Sequence, residues 1–145
     1  MGYELIPANS ISSSALKAER LRMEISANNI ANAQSTSPNG KNLYKRKIAV
    51  FESVLKDQFS RNSEASLGGV RVVEVSHSNR APIEIYNPSH PHADENGMLQ
   101  KPNISPLEEM VDMMTATRAY ETNLSIMKQS KKMAEGMIKL AGGGQ

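Results

Sequence analysis

A chain of 145 residues with 17 Lys+Arg against 15 Asp+Glu has a formal balance of only +2, too small to suggest a nucleic-acid binder, which carries a strongly basic face. It holds no Cys, so a disulfide framework and a thiolate metal site are excluded, and with no Trp and 4% aromatics an aromatic-rich independent core is not expected. No apolar run reaches the roughly 18 residues of a membrane-spanning helix, and the opening MGYELIPANS lacks the basic-then-apolar layout of a Sec signal.

Three parts follow along the chain: 1–40, an N-terminal helix and loop; 41–104, an insert rich in turns and strands; and 105–145, a C-terminal helix. The first helix is expected from about Ser10 to Asn32. Ile11, Ala15, Ala18, Leu21 and Ile25 recur at helical spacing and form one stripe; Leu16, Met23, Ala27 and Ile30 form a second. Asn28, Asn29 and Asn32 are poor choices for a helix interior, so they imply specific side-chain hydrogen bonds or an approaching cap. Gln34–Gly40 is polar and reads as a loop. Lys41, Lys45, Arg46 and Lys47 make a basic run that reads as a solvated surface or as the dock of an anionic partner.

In the insert, Val70, Val72, Val73 and Val75 mark one strand, and Ile83 with Ile85 another. Ile48, Val50 and Phe51 fit either a strand or a helix. Asn96-Gly97 predicts a tight turn of the hairpin kind, and five prolines from Pro82 to Pro106 punctuate the region.

The C-terminal helix is the clearest element. Ser105, Pro106 and Glu108 make an N-cap, a first-position proline and a capping box; Gly142, Gly143 and Gly144 supply the stop after Leu140. Glu108, Glu109 and Asp112 near its start and Lys128, Lys131, Lys132 and Lys139 toward its end suit the helix dipole. Met110, Met113, Thr117, Tyr120, Leu124, Met127, Lys131, Ala134, Met137 and Ala141 follow steps of three and four, a heptad seam with polar breaks at Thr117 and Lys131. Val111, Met114, Ile126, Met133 and Ile138 lie off that seam, so the helix needs more than one neighbour. The expected fold is mainly α with a small β-containing insert, the two terminal helices pairing as a coiled coil.

Chemistry is sparse. His90, His92, Asp94 and Glu95 are the only metal-like cluster and lack a second half-site, and their proline-rich context reads as a surface turn. Glu108-Glu109 is explained by capping, and no nucleophile motif, GxGxxG or Walker loop occurs. No enzyme, cofactor or metal is expected. The methionines of the last helix suit a soft interface that packs similar but non-identical neighbours.

Two helical stretches carry a resemblance. Ser14-Ala15-Leu16 with Ala27-Asn28-Asn29-Ile30-Ala31-Asn32-Ala33, and Glu109-Met110-Val111 with Ala116-Thr117-Arg118-Ala119-Tyr120-Glu121-Thr122-Asn123, are similar to the terminal helices of the flagellar axial proteins, the family of rod and hook subunits. The long Gln34–Leu43 excursion and the stretch from Tyr86-Asn87-Pro88 to Lys101-Pro102-Asn103 resemble the proximal-rod branch, with Ser89 where that branch has Gly. The resemblance implies a structural subunit polymerising into the helical, torque-transmitting shaft of the basal body, in the periplasmic space, exported by the flagellar type III route without a cleaved signal peptide. The implied partners are copies of itself, other rod proteins, the proteins of the MS-ring/rod junction and the export apparatus; no nucleic acid and no membrane span is among them.

Leu21, Ile25, Asn29, Ile30 and Asn32 on the first helix are the expected subunit interface, with Met110, Met114, Thr117, Arg118, Tyr120, Glu121, Leu124 and Met127 on the last. Among them Asn29, Asn32, Arg118 and Glu121 are expected to fix helix register. A reading of another class remains: a soluble helical adaptor or export chaperone that binds partners through the Met-rich face. It would stay a discrete oligomer.

Overall fold

The computed structural model describes residues 7–38, 41–54 and 68–142. Two long helices, α1 (Pro7–Asn32) and α2 (Pro106–Gly142), enclose four strands in sequence: β1 (Lys47–Val54), β2 (Gly69–His77), β3 (Ile83–Tyr86) and β4 (Met98–Lys101). The molecule is mainly helical with a strand-containing middle. Gly143 and Gly144 of the expected stop, and Asn39 and Gly40 of the polar loop, lie outside the described residues.

Helix α1 starts three residues earlier than the sequence suggests, on Pro7, whose fixed φ suits a first helical position. It has no acidic residue in its first turn and no basic one in its last, so the dipole gives it no help and packing must hold it. Asn28 and Asn32 donate through Nδ2 to the carbonyls of Glu24 and Asn28, both at 2.8 Å, along their own helix. Asn29 does not bond along the helix; it reaches across to other elements.

Helix α2 runs antiparallel to α1. Asn29 meets Glu109, and Thr117 Oγ1 lies 3.3 Å from Met23 Sδ. Its inward face is Glu109, Met113, Ala116, Tyr120, Asn123, Met127, Ser130 and Ala134, all buried or half-buried. The expected seam keeps Met113, Tyr120, Met127 and Ala134, but its alternate positions move by one residue: Glu109 replaces Met110, Ala116 replaces Thr117, Asn123 replaces Leu124 and Ser130 replaces Lys131. The face is lined by small and polar side chains, matched on α1 by buried Ser12, Ala18 and Ser26, and small side chains let two helices approach closely. Ile11 of the expected α1 stripe is 44% exposed.

Ser105 Oγ accepts the Glu108 N–H at 3.4 Å, which is half of the expected capping box. The other half is replaced, because the Glu108 carboxylate accepts from Arg80 Nη1 at 3.3 Å.

Strands β1 and β2 form an antiparallel hairpin whose register shifts between Val50/Phe51; Val50 faces Glu74 and Phe51 faces Val72, so Val73 is the extra residue of a bulge. That settles Ile48, Val50 and Phe51 as strand. The hairpin packs on α1 through its Gly69 end, where the Val70 N–H donates to Ser14 Oγ at 3.2 Å. A Cβ on Gly69 would sit 2.7 Å from that oxygen, so a larger residue there would require Ser14 to turn away from the strand.

Strands β3 and β4 pair from Ile83↔Lys101 to Tyr86↔Met98. Asn96-Gly97 does not join them as a two-residue hairpin turn. It closes a long connection, where Asp94 Oδ1 accepts the N–H groups of Asn96 and Met98 at 3.0 and 2.7 Å. Gly97 adopts φ 76° there. Among the described residues the buried apolar side chains are Ala18, Ile25, Ala33, Leu99, Ile104 and Ala116.

Candidate subunit interface

The contact between α1 and α2 has a polar centre. Asn29 is fully buried and its side-chain amide is saturated. Nδ2 donates to the Lys47 carbonyl and to Glu109 Oε2, each at 2.9 Å. Oδ1 accepts the Tyr44 hydroxyl and the Lys47 N–H, again at 2.9 Å. One side chain thereby ties the end of α1 to the start of β1 and the start of α2.

Glu109 is 1% exposed, and its second oxygen accepts from Arg46 Nε at 2.5 Å. A buried carboxylate is tolerable only when paired and hydrogen-bonded, and both conditions are met. Arg46 extends the network to Asp112 at 3.4 Å, and Arg22 reaches the same carboxylate at 3.6 Å. Burial, and secondarily the Glu109 charge, raises the Tyr44 phenol above its ordinary value, so it remains a donor to Asn29.

Sequence reasoning marked Asn29 but missed its partners. Glu109 looked like a helix-start acid and Arg46 like part of a solvated basic run, because the pairing joins residues 63 apart in the chain. Tyr44 and Arg46 point inward while exposed Lys45 points out. That alternation was the available signal.

The candidate interface residues divide into three groups. Ile25 and Asn29 are buried within the chain's own packing. Leu21, Ile30, Asn32, Thr117, Tyr120, Leu124 and Met127 are half-buried. Met110, Met114, Arg118 and Glu121 are exposed. The exposed set recurs at spacings of four, four and three, so it occupies one stripe of α2, and the helical period puts this stripe opposite the face packed on α1.

Leu107, Met110, Val111 and Met114 make an apolar patch at the head of that outer stripe, 50–72% exposed. A second patch, Met133, Met137, Ile138 and Leu140, is 63–84% exposed. The antiparallel pairing of Asn29 with Glu109 brings the beginning of α1 level with about Ser130, the last buried residue of α2. Lys131 to Gly142 therefore extends past the described part of α1. Apolar surface in patches of this kind marks an interaction site.

Among the described residues no group of three or more His, Cys, Asp or Glu is placed to hold a metal. His90 and His92 instead order their own turn: the His92 N–H donates to His90 Nδ1 at 3.1 Å, and His92 Nδ1 shares a hydrogen bond with Thr36 Oγ1 at 2.9 Å. No described helix is long and apolar enough to cross a membrane.

Residues 10–37 match the family model of the flagella basal body rod protein. Residues 95–140 match that of the flagellar basal body rod FlgEFG protein C-terminal region. The two matches fall on the two helices that Asn29 and Glu109 join. Over most of its length the chain is also similar to curated proteins named flagellar basal-body rod protein FlgC. Against that of Bacillus subtilis it is 37% identical, covering 85% of this chain and 89% of the relative. For Aquifex aeolicus the identity is 37%, over 91% and 93%, and for Escherichia coli O157:H7 it is 36%, over 85% and 87%.

Proposed function

The chain belongs to the FlgC family of flagellar basal-body rod proteins, and from that premise we propose how its surfaces build the rod. It is a structural subunit of the flagellar basal body, not an enzyme. Its work is mechanical, and the question is which faces carry load between subunits.

In this reading α1 and α2 act in the rod as an antiparallel coiled coil, clasped by Asn29, Glu109 and Arg46. The small and polar inward seam is used up within the subunit. The outer stripe of α2, with Met110 and Met114 as apolar contacts and Arg118 and Glu121 setting register, packs against neighbouring subunits. The half-buried Leu21, Ile30, Asn32, Thr117 and Leu124 form the margin of that contact, while Tyr120 and Met127 stay in the inward seam. Head-to-tail contacts of this heterologous kind do not close on themselves and so generate a helical shaft that transmits torque.

The remaining assignments follow the family reading: export in unfolded form through the flagellar type III apparatus, a position in the periplasmic space, and contacts at the MS-ring/rod junction and with other rod proteins. A chain with little core and no disulfide suits passage through a narrow channel. Assembly supplies the burial that the lone subunit lacks.

The observation that carries the interface is the exposure of Met110 (50%) and Met114 (55%) on a helix whose opposite face is already packed. Met114→Asp tests it in a strain lacking the wild-type gene. Swimming should be lost and isolated basal bodies should lack a complete rod. The purified variant should keep the wild-type helical circular dichroism and lie within about 0.5 kcal/mol of wild-type stability, as surface changes do. Complete rods in that strain would remove the outer stripe from the interface.

A further inference from the structure

The connection between β3 and β4 ties the small sheet to the exit of α1. On the helix side, the Ser35 N–H and hydroxyl both donate to the Asn32 carbonyl, at 3.1 and 2.7 Å, so Thr36 follows on a fixed turn. On the sheet side, Pro88 and Pro91 restrict the backbone, and the His90 and Ala93 N–H groups donate to the Asn87 and His90 carbonyls at 3.2 and 3.0 Å. Among the described residues two side-chain hydrogen bonds join the sides: His92 Nδ1 with Thr36 Oγ1 at 2.9 Å, and Lys101 Nζ to Gln34 Oε1 at 3.0 Å.

The two imidazoles make unequal demands. Thr36 can donate or accept, so its bond to His92 survives either protonation state of that ring. His90 has no such freedom. Its Nδ1 lies 3.1 Å from the His92 backbone nitrogen, and a backbone N–H only donates, so Nδ1 must keep its lone pair and His90 must be neutral. A proton on Nδ1 turns the acceptor into a second donor, and the bond is lost. That bond sets the backbone from which the His92 ring reaches Thr36, with the two rings edge-on at 5.3 Å between centroids.

The surroundings offer no countercharge. Neither imidazole pairs with a carboxylate among the described residues. Within the connection, Asp94 Oδ1 serves the N–H groups of Asn96 and Met98, and Glu95 is exposed. On the strands, Glu84 accepts from Gln100 Nε2, Tyr86 is exposed and Lys101 is turned to Gln34. The stretch from Gln34 to Pro38 carries no charge. His77 lies in the other sheet, opposite Lys47.

We propose that His90 is an acid-sensitive latch. Neutral, it holds His92 on Thr36 and so the small sheet on the exit of α1; protonated, it releases both. Histidine is the side chain that changes charge between pH 8 and 5, whereas carboxylates stay largely ionised there. The latch works within one chain and does not depend on the outer stripe of α2.

The test is nuclear magnetic resonance of the full, ¹⁵N-labelled chain, titrated from pH 7.5 to 5.0 with EDTA present. The Thr36 and His92 amide signals should shift together as the His90 ring takes up its proton. Protection of the His92 N–H against hydrogen exchange, corrected for the intrinsic effect of pH, should fall about fivefold, as loss of one hydrogen bond implies. His90→Asn sets an amide oxygen where Nδ1 stands and gains no proton, so it should keep its protection down to pH 5.0. His90→Ala should show the low value throughout. Wild-type protection that is unchanged at pH 5.0 would overturn the latch. So would an acid-induced loss in His90→Asn equal to that of wild type, or full protection at pH 7.5 in His90→Ala.

Discussion

Asn29 can donate two hydrogen bonds and accept two, and its neighbours fill all four positions. Removing it leaves the Lys47 N–H and carbonyl, the Tyr44 hydroxyl and a buried carboxylate each short of a partner. Unsatisfied buried groups cost more than the bonds they replace were worth. Asn29→Ala is therefore expected to destabilise the chain by roughly 2–4 kcal/mol, measured as a shift of the urea midpoint; a loss under about 0.5 kcal/mol would show that the amide is dispensable.

Tyr44 adds a pH signature. Its phenol is raised by burial and by Glu109, so the folded state favours the protonated form. The stabilisation is complete below the ordinary phenol value of 10.0 and is lost as pH rises through the folded one. Wild type should thus lose more stability between pH 9 and 11 than Tyr44→Phe, which has no proton to lose. Equal losses in parallel denaturation series would rule out that coupling. The three asparagines were conspicuous in the sequence as poor helix formers, and that signal led to Asn29. Its partners were not legible, since no local rule pairs a loop arginine with an acid at the start of a distant helix.

At the scale of elements, both long helices and the strands at Val70–Val75 and Ile83–Ile85 could be read from periodicity and punctuation. The inward face of α2 could not. The steps of three and four draw a seam through Met110, Thr117, Leu124 and Lys131, whereas packing chose Glu109, Ala116, Asn123 and Ser130, one residue earlier. A search for apolar periodicity finds the face that needs covering. In this chain part of that face stays exposed on the monomer, and the intramolecular face is built from small and hydrogen-bonding side chains. The Asn96-Gly97 signal likewise located a turn but not its role. Gly97 combines φ 76° with a site where a Cβ would lie 3.0 Å from Pro88 Cβ and from the Tyr86 ring. Gly97→Ala should cost about 1–2 kcal/mol through the left-handed backbone and the crowding together. The thermal midpoint reports it, and an unchanged midpoint would mean that the turn relaxes freely.

Across the whole molecule, burial is graded along α2. Its first two-thirds lie against α1 and end at Ser130; Lys131 to Gly142 is exposed except for half-buried Ala134 and Gly136. An isolated helical segment of this length is marginal in water, so the monomer should open there first, as weakly packed segments do. Hydrogen exchange on the purified chain is expected to show slow amides from about Met113 to Asn123 and fast ones from about Met133 to Leu140. In isolated basal bodies the second group should become slow, on the proposal that assembly buries Met133, Met137, Ile138 and Leu140. The clasp and the free end then divide the labour: one holds the two helices in register before assembly, and the other gains its burial only when neighbours arrive. If the final segment is as protected in the monomer as the middle of the helix, that division fails. Protection unchanged between monomer and rod would place the second apolar patch outside the assembled contact.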